Sequence, residues 1–348
     1  MNYRRFWKIS LLLFSSTCLG LEGAGIAQNP VVNGTDWKDT SGEPISAHEG
    51  FIGQFDGAFY WYGTSYKGNP GGKFGPEGAP LQNSFNVYRS TNLVDWEYLG
   101  EALKFPKTGF GSEGTSHRPC VIYNEKTKKY VMWFFHFIKF PDIMLTVATA
   151  DHPAGPFVIE GLRKSGEANG WAQDLGLFQD NDGKAYIVYD DGHRNLRVDL
   201  LTDDYLDTTR KSIIALKAGS THEQKYEGAA MAKYNGKYLV AGSGVSGWNH
   251  SDTTYAVADS PLGPYSAPAR LGDKNSWGAQ ISNFLLIEST NTLVALFDQW
   301  WAGPAGKKDL DQSRYLLLPV ALDPATGAAS MTYQPEWFPF GKNGAPRP

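Results

Sequence analysis

The chain has 348 residues, with 36 acidic against 32 basic side chains and a formal charge of −4. That balance excludes the basic surface that nucleic acid or an anionic membrane would require. Two cysteines exclude a disulfide framework, and no Cys/His spacing suggests zinc.

Taken in chain order, residues 1–27 read as an export signal. Arg4, Arg5 and Lys8 precede an apolar run from Ile9 to Leu21, and Gly25-Ile26-Ala27 supplies small residues at a cleavage site. The run is too short, and too closely followed by that site, to read as a membrane span. The expectation is an exported protein, periplasmic or secreted, whose residues 28–348 form a single domain. Its one remaining cysteine, Cys120, falls in a hydrophobic repeat position and is expected to be buried as a small apolar residue.

From Glu49 onward one cadence recurs five times: a polar residue, a hydrophobic stretch, a turn and a second hydrophobic stretch. The polar positions are Glu49, Arg118, Asp174, Glu227 and Gln280, spaced by 69, 56, 53 and 53 residues. Tyr60, Tyr130, Tyr186 and Tyr238 stand 11 or 12 residues after the first four, and Leu293 stands 13 after the fifth. Asp56-Gly57, Asp182-Gly183 and Asn235-Gly236 offer positive φ for tight hairpins. A second hairpin follows in each repeat, and the segments 153–156 and 261–264, rich in proline and glycine, read as edge turns. Four short antiparallel strands recurring at this period predict an all-β fold, a five-bladed β-propeller with four strands per blade.

In a propeller the innermost strand of each blade begins near the axis, so Glu49, Asp174 and Glu227 are expected to meet in one funnel. Like charges in a partly buried site raise one another's pKa and keep one carboxyl protonated. Inverting hydrolysis of a glycosidic bond needs one protonated carboxyl for the leaving oxygen and one ionised carboxylate to activate water. Taken singly, each acid reads equally well as a turn cap or as a partner of Arg118. Trp171, Trp248, Trp300 and Trp301 stand in loops beside the polar positions, where aromatic rings suit the C–H faces of sugars or fill gaps between blades.

At these residues the chain resembles glycoside hydrolase family 43, and within it the exo-β-1,3-galactanase branch. The likeness is carried by Ile45-Ser46-Ala47-His48 with Phe59-Tyr60-Trp61-Tyr62-Gly63, and by Arg118-Pro119 with Val121-Ile122-Tyr123-Asn124. Lys233 to Tyr238, Ser246-Gly247-Trp248-Asn249 and Ser313-Arg314-Tyr315 continue it. The resemblance implies a general acid at Glu227 and a pKa-modulating aspartate at Asp174. It also implies two candidates for the base. Most of the family has an aspartate where this chain has Glu49, whereas the galactanase branch has glycine there and relies on a glutamine that Gln280 matches. A carboxylate deprotonates water more readily than an amide, so Glu49 is expected to be the base and Gln280 to position water or substrate, with the reverse assignment open.

His117 stands where galactanases carry a glutamate for the terminal galactose, and an imidazole cannot accept two hydroxyls as a carboxylate does. It is either a specificity residue or a structural histidine. Arg118 is expected either to bind a sugar hydroxyl or to neutralise the acid cluster; Asp191, Trp248, Asn249 and Arg314 are expected near the substrate by resemblance, and Trp171 by its place in a loop beside a polar position. The expected protein is an exported, inverting, exo-acting glycosidase of plant-type polysaccharide, with β-1,3-galactan or arabinogalactan as first substrate. The alternatives are an α-L-arabinofuranosidase or β-xylosidase of the same fold, or a catalytically silent carbohydrate-binding propeller. An oligo- or polysaccharide is the expected partner, the chain is expected to be a monomer, and no organic cofactor is required. Related propellers sometimes hold a structural calcium ion in the central channel, but no acidic loop here has calcium-ligand spacing.

Overall fold

The computed structural model describes residues 29–69, 71, 84–105, 114–139, 142–166, 172–221 and 224–341. The expected export signal and Trp171 lie outside these residues. Among them, five four-stranded antiparallel sheets follow one another, each built from consecutive strands of one contiguous stretch. Blade one comprises His48–Phe55, Ala58–Ser65, Ser84–Ser90 and Glu97–Leu103. Blade two comprises Thr115–Asn124, Lys129–Lys139, Asp142–Ala150 and Val158–Arg163. Blade three comprises Gln173–Gln179, Ala185–Asp190, Leu196–Leu201 and Thr208–Leu216. Blade four comprises Tyr226–Tyr234, Lys237–Gly244, Thr253–Ala258 and the two-residue Ala269–Arg270. Blade five comprises Gln280–Ile287, Thr292–Gln299, Arg314–Leu322 and Ala329–Met331. The first strands of successive blades adjoin, and the last adjoins the first, which closes the five-bladed propeller.

Hydrophobicity falls from the axis outward, as this architecture demands. Every residue of Ala58–Ser65 is buried, whereas the outer strand Val158–Arg163 alternates exposed and half-buried positions. Large aromatics fill the wedges between blades: Trp61 meets Trp37, Trp96 and Tyr315 edge-on or tilted at 4.7 to 5.9 Å. Cys120 is buried as expected.

The hairpin chemistry is as read at two turns and different at a third. Asp56 and Gly57 have φ of 50° and 75°, and Asn235 and Gly236 have 49° and 76°, each pair forming a two-residue loop. Asp182-Gly183 instead sits inside a longer turn in which Asp180 N–H donates to the Lys184 carbonyl, and glycine alone takes positive φ.

Among the described residues each blade is built from one contiguous stretch with no strand exchanged between the chain ends, so the seam between blades five and one is held otherwise. Val31–Val32 pairs with Glu336–Trp337 in a separate ribbon. The Asn33 side chain donates to the carbonyls of Leu317 and Gln334 and accepts from Leu317 N–H. Nearer the axis, His48 Nδ1 lies 3.3 Å from Asp298 Oδ1 and Nε2 lies 2.9 Å from the Asp311 carbonyl, while Asp298 Oδ2 accepts the Glu49 N–H at 3.0 Å. Both imidazole nitrogens thus face acceptors, which favours the charged ring.

Burial alone would lower the His48 pKa, but Asp298 and Asp311 outweigh it and raise it above 6.5. Burial also raises the Asp298 carboxyl against its partners, and the double-acceptor geometry of His48 decides for the ion pair. A raised histidine contributes stability that is complete below about 6.5 and lost as pH rises through the folded value. His48→Ala should cost about 3–5 kcal/mol by leaving Asp298 buried and unpaired. Urea unfolding of the two proteins should show it, and the wild type should lose stability on the alkaline side of its midpoint profile.

Candidate active site

Four of the five repeat positions reach the axis through a backbone irregularity that strand periodicity does not announce. In blades one to three the ladder slips between His48 and Phe51, between His117 and Cys120, and between Gln173 and Gly176. The residue carrying each slip has left-handed backbone: Glu49 at φ 53°, Arg118 at 53° and Asp174 at 44°. In blade four the slip lies between Glu227 and Ala230, and Gly228 takes the positive φ of 66°. These β-bulges re-aim side chains, and such strain at charged residues belongs to functional sites. They also let neighbours share a face, which a regular strand forbids: His117 with Arg118, and Gln173 with Asp174, all line one pocket. Gln280 follows regular geometry, its ladder slipping only after Ile281.

That pocket, about 310 Å³ in volume, opens where the inner strands begin. Glu49, His117, Arg118, Asp174, Glu227, Gln280 and Trp248 line it, together with an apolar wall that includes Phe135, Phe137 and Ile143. The described residues therefore bring together seven of the eleven positions singled out from sequence.

Glu227 is 2% exposed. Its Oε1 accepts N–H bonds from Ser246 at 2.7 Å, Gly247 at 2.8 Å and the Gln280 amide at 2.8 Å. Burial, followed by the charge of Asp174, pushes its pKa up to about 7 even against those donors. With Oε1 saturated as an acceptor, the proton belongs on Oε2. Asp174 is fixed by the Gly228 N–H on Oδ2 at 3.1 Å and by Arg118 Nε, 3.1 Å from Oδ1. Arg118 is itself buried, and although burial would lower its pKa, Asp174 and Glu49 raise it further above the usual range.

Glu49 presents the opposite electrostatics. Burial would raise its pKa, but His117 and then Arg118 bring it down to about 2. His117 Nδ1 lies 3.1 Å from Glu49 Oε2 and 3.1 Å from the Tyr66 hydroxyl, and its Nε2 lies 2.9 Å from Thr115 Oγ1. The ring stacks on Phe135 with centroids 5.0 Å apart. Of the two readings of His117, this geometry favours a buried residue that holds Glu49. Gln280 is equally committed: its Nε2 donates to Glu227 and to Ser243 Oγ, and its Oε1 accepts from Trp300.

Three positions lie elsewhere. Asp191 turns into its own loop, accepting from Asn195 N–H and from Arg197 Nε at 2.8 Å. The Asn249 amide donates back to the Ser246 carbonyl. Arg314 Nε donates to Asp36 at 2.7 Å on the outer rim. Each satisfies a local turn or ion pair instead of lining the pocket. Trp171 lies outside the described residues. Trp300 is buried behind Gln280, and Trp301 donates its indole N–H to the Trp248 carbonyl, so only Trp248 of the described loop tryptophans reaches the cavity.

Sequence reasoning missed Gln173, His193, Asp190 and Tyr66. The only available signal was adjacency: Gln173 precedes a repeat position as His117 does, and Asp190 and His193 flank Asp191 in the same tight turn. Among the described residues no group of three or more His, Cys, Asp or Glu side chains is arranged to hold a metal ion. No helix among them is long and apolar enough to cross a membrane.

A neutral-leaning carboxyl and an ionised carboxylate around an axial pocket of a five-bladed propeller define a class of protein that hydrolyses glycosidic bonds. The sequence model of glycosyl hydrolases family 43 matches residues 43–276, and the chain belongs to that family. It is a glycosidase acting on O-glycosyl bonds. Gln280 lies beyond the matched span. The structure of an exo-β-1,3-galactanase from Phanerochaete chrysosporium with β-1,3-galactotriose is 28% identical, with 89% of this chain and 68% of that one covered and a TM-score of 0.74. A family 43 β-1,3-galactosidase solved with galactodeoxynojirimycin is 27% identical, with 88% and 100% covered and a TM-score of 0.75. A curated β-D-galactofuranosidase of Aspergillus niger is 25% identical over 203 residues, 53% of this chain, which spans only 56% of that relative's length.

Proposed function

We propose that the protein is an exo-acting, inverting glycosidase that removes terminal galactose from β-1,3-galactan or arabinogalactan. The observation that carries this reading is the pair of carboxyls driven apart by their surroundings: Glu227 pushed up to about 7 by burial and Asp174, and Glu49 brought down to about 2 by His117 and Arg118 against its burial. The first suits a general acid, the second a base that is ionised throughout the working range.

In this mechanism Glu227 Oε2 gives its proton to the leaving glycosidic oxygen while Glu49 takes a proton from the water that attacks the opposite face of the sugar. Asp174 keeps the Glu227 pKa high, and Arg118 holds Asp174 in place. Gln280 orients Glu227 through the bond to Oε1, and His117 orients Glu49. A small axial pocket suits the end of a polymer. Galactan as substrate is supported by the galactan-degrading relatives and by the motifs shared with them. Such a polymer is met outside the cell, in agreement with the leader-like pattern of residues 1–27.

The test is hydrolysis of β-1,3-galactan followed by proton NMR from the first minute. α-Galactose should appear before mutarotation. A first product in the β configuration would overturn the inverting mechanism. Silence on galactan with release from arabinan or xylan would move the substrate to the pentose-specific alternatives. Sugar binding without release from any of the three would leave the silent binding propeller.

A further inference from the structure

Tyr66 follows directly on the second strand of blade one and is fully buried. Its hydroxyl stands among three groups, one each from blades four, two and one. The Trp248 indole N–H donates to it at 3.2 Å, and His117 Nδ1 lies 3.1 Å away. The third is Glu49, whose Oε2 meets the same His117 nitrogen at 3.1 Å. The Tyr66 ring packs edge-on against Trp248 and Trp300, with centroids 5.9 and 6.3 Å apart, and its backbone N–H donates to Asp311 Oδ1 at 2.6 Å. The phenol is thus fixed from both ends.

Counting hydrogens gives this network its direction. A phenol has one hydrogen to donate, and an indole can only donate, so Trp248 takes a lone pair of the Tyr66 oxygen. The Glu49 carboxylate only accepts, so His117 Nδ1 must carry a hydrogen to meet it and cannot accept one from Tyr66. The phenol hydrogen is left for Glu49. Burial would raise the Glu49 pKa, His117 and then Arg118 bring it down, and the Tyr66 hydrogen bond adds to them. Burial and then the Glu49 charge raise the Tyr66 phenol well above its usual range, so it stays a donor.

The loop that reaches Tyr66 also holds the acid. Ser246 and Gly247 donate their N–H groups to Glu227 Oε1, and Trp248, the next residue, lines the pocket while the Trp301 indole grips its carbonyl at 2.6 Å. An inverting pair must keep its separation while a water stands between base and sugar. We propose that Tyr66 is a positioning residue for the base: held by the Trp248 indole, its hydroxyl fixes Glu49 Oε2 and ties the base to the loop that carries the acid. The proposal rests on the reading of Glu49 as base. With Oε2 met by Tyr66, His117 and Thr64 Oγ1, the last at 3.3 Å, Oε1 is left for the attacking water.

The other charged groups around Glu49 are His117 and Arg118 of blade two, and Asp298 of blade five, which accepts the Glu49 N–H and pairs with His48 of blade one. Asp174 and Glu227 share Arg118 with it. Removing a phenol oxygen leaves all of these in place.

The test compares wild type, Tyr66→Phe, Trp248→Phe, the double variant and Glu49→Gln. One substrate is β-1,3-galactobiose; the other is 2,4-dinitrophenyl β-D-galactopyranoside, whose leaving group needs no proton although its hydrolysis still needs the base. Tyr66→Phe should lower kcat roughly tenfold on both substrates alike, with KM unchanged because Tyr66 does not line the pocket. Loss of a donor to the charged form raises a carboxyl's pKa. The acid limb of kcat should therefore rise from the Glu49 value of about 2, while the alkaline limb stays near 7. Activity regained on return to neutral pH separates this titration from unfolding. Trp248→Phe should lower kcat less, and adding it to Tyr66→Phe should cost no further kcat, since the indole acts through the phenol. A loss confined to galactobiose, an unchanged kcat and acid limb, or additive losses in the double variant would overturn the proposal. Wild-type turnover by Glu49→Gln would instead overturn the reading of Glu49 as base, and the role of Tyr66 with it.

Discussion

Glu227→Gln should lower kcat on β-1,3-galactobiose by roughly 10²–10⁴-fold, equivalent to about 3–5 kcal/mol of transition-state stabilisation. The replacement is isosteric. Its amide oxygen can accept the N–H groups of Ser246, Gly247 and Gln280 that now converge on Oε1, so the pocket should keep its shape and bind sugar as before. Only the proton at Oε2 is lost. An activated substrate that needs no proton should therefore be largely spared, and the isothermal binding curve for galactose should be unchanged. The wild-type profile should fall as pH rises through about 7, the value to which burial and Asp174 push this carboxyl, because only the protonated form can serve the leaving oxygen. That limb should be absent from the variant. A binding propeller without catalysis would show neither the loss nor the limb.

The second large effect separates the two candidates for the base. Glu49→Gln should again cost roughly 10²–10⁴-fold in kcat, whereas Gln280→Ala should cost about tenfold, through the acid. The reason is geometric. Gln280 has its amide nitrogen on Glu227 and Ser243 and its oxygen on the Trp300 indole, so both ends are occupied in orienting a neighbour. Glu49 has one oxygen held near His117 and Thr64 and is kept ionised by His117 and Arg118. Gln280 also donates to the charged form of Glu227, so its removal should raise the Glu227 pKa and move the alkaline limb of kcat to higher pH. Steady-state kinetics on galactobiose across pH would show both. A larger loss in Gln280→Ala than in Glu49→Gln would exchange the two roles.

The propeller was legible because its determinants are local and repeated. A polar residue and two apolar strands recur five times, four of them with a tyrosine 11 or 12 residues on, and pairs such as Asp56-Gly57 and Asn235-Gly236 encode their own turns. The closing of the ring was not legible. Asn33 binding the Leu317 backbone, and His48 paired with Asp298, join residues some 250 or more positions apart, and neither partner carries a sign of the other in its own neighbourhood. The site divided in the same way. Glu49, Asp174 and Glu227 could be found from their place in the repeat. The bulges that turn Glu49, Arg118 and Asp174 into the pocket leave no mark in the hydrophobic pattern.

Loop residues show the limit most plainly. Asp190, Asp191 and His193 fall within four residues of one turn, and resemblance pointed to Asp191. The fold spends Asp191 on Asn195 and Arg197 and gives the pocket to His193. Asn249 and Arg314 go likewise to a turn and a rim ion pair. Sequence by itself determined the repeat, the five blades, the family likeness and which carboxyls begin the inner strands, because these follow from short-range periodicity and turn chemistry. Tertiary structure alone decided which of those carboxyls is buried beside another negative charge and which is held by His117 and Arg118. A carboxyl's pKa is set by neighbours in space, and here those neighbours come from different blades.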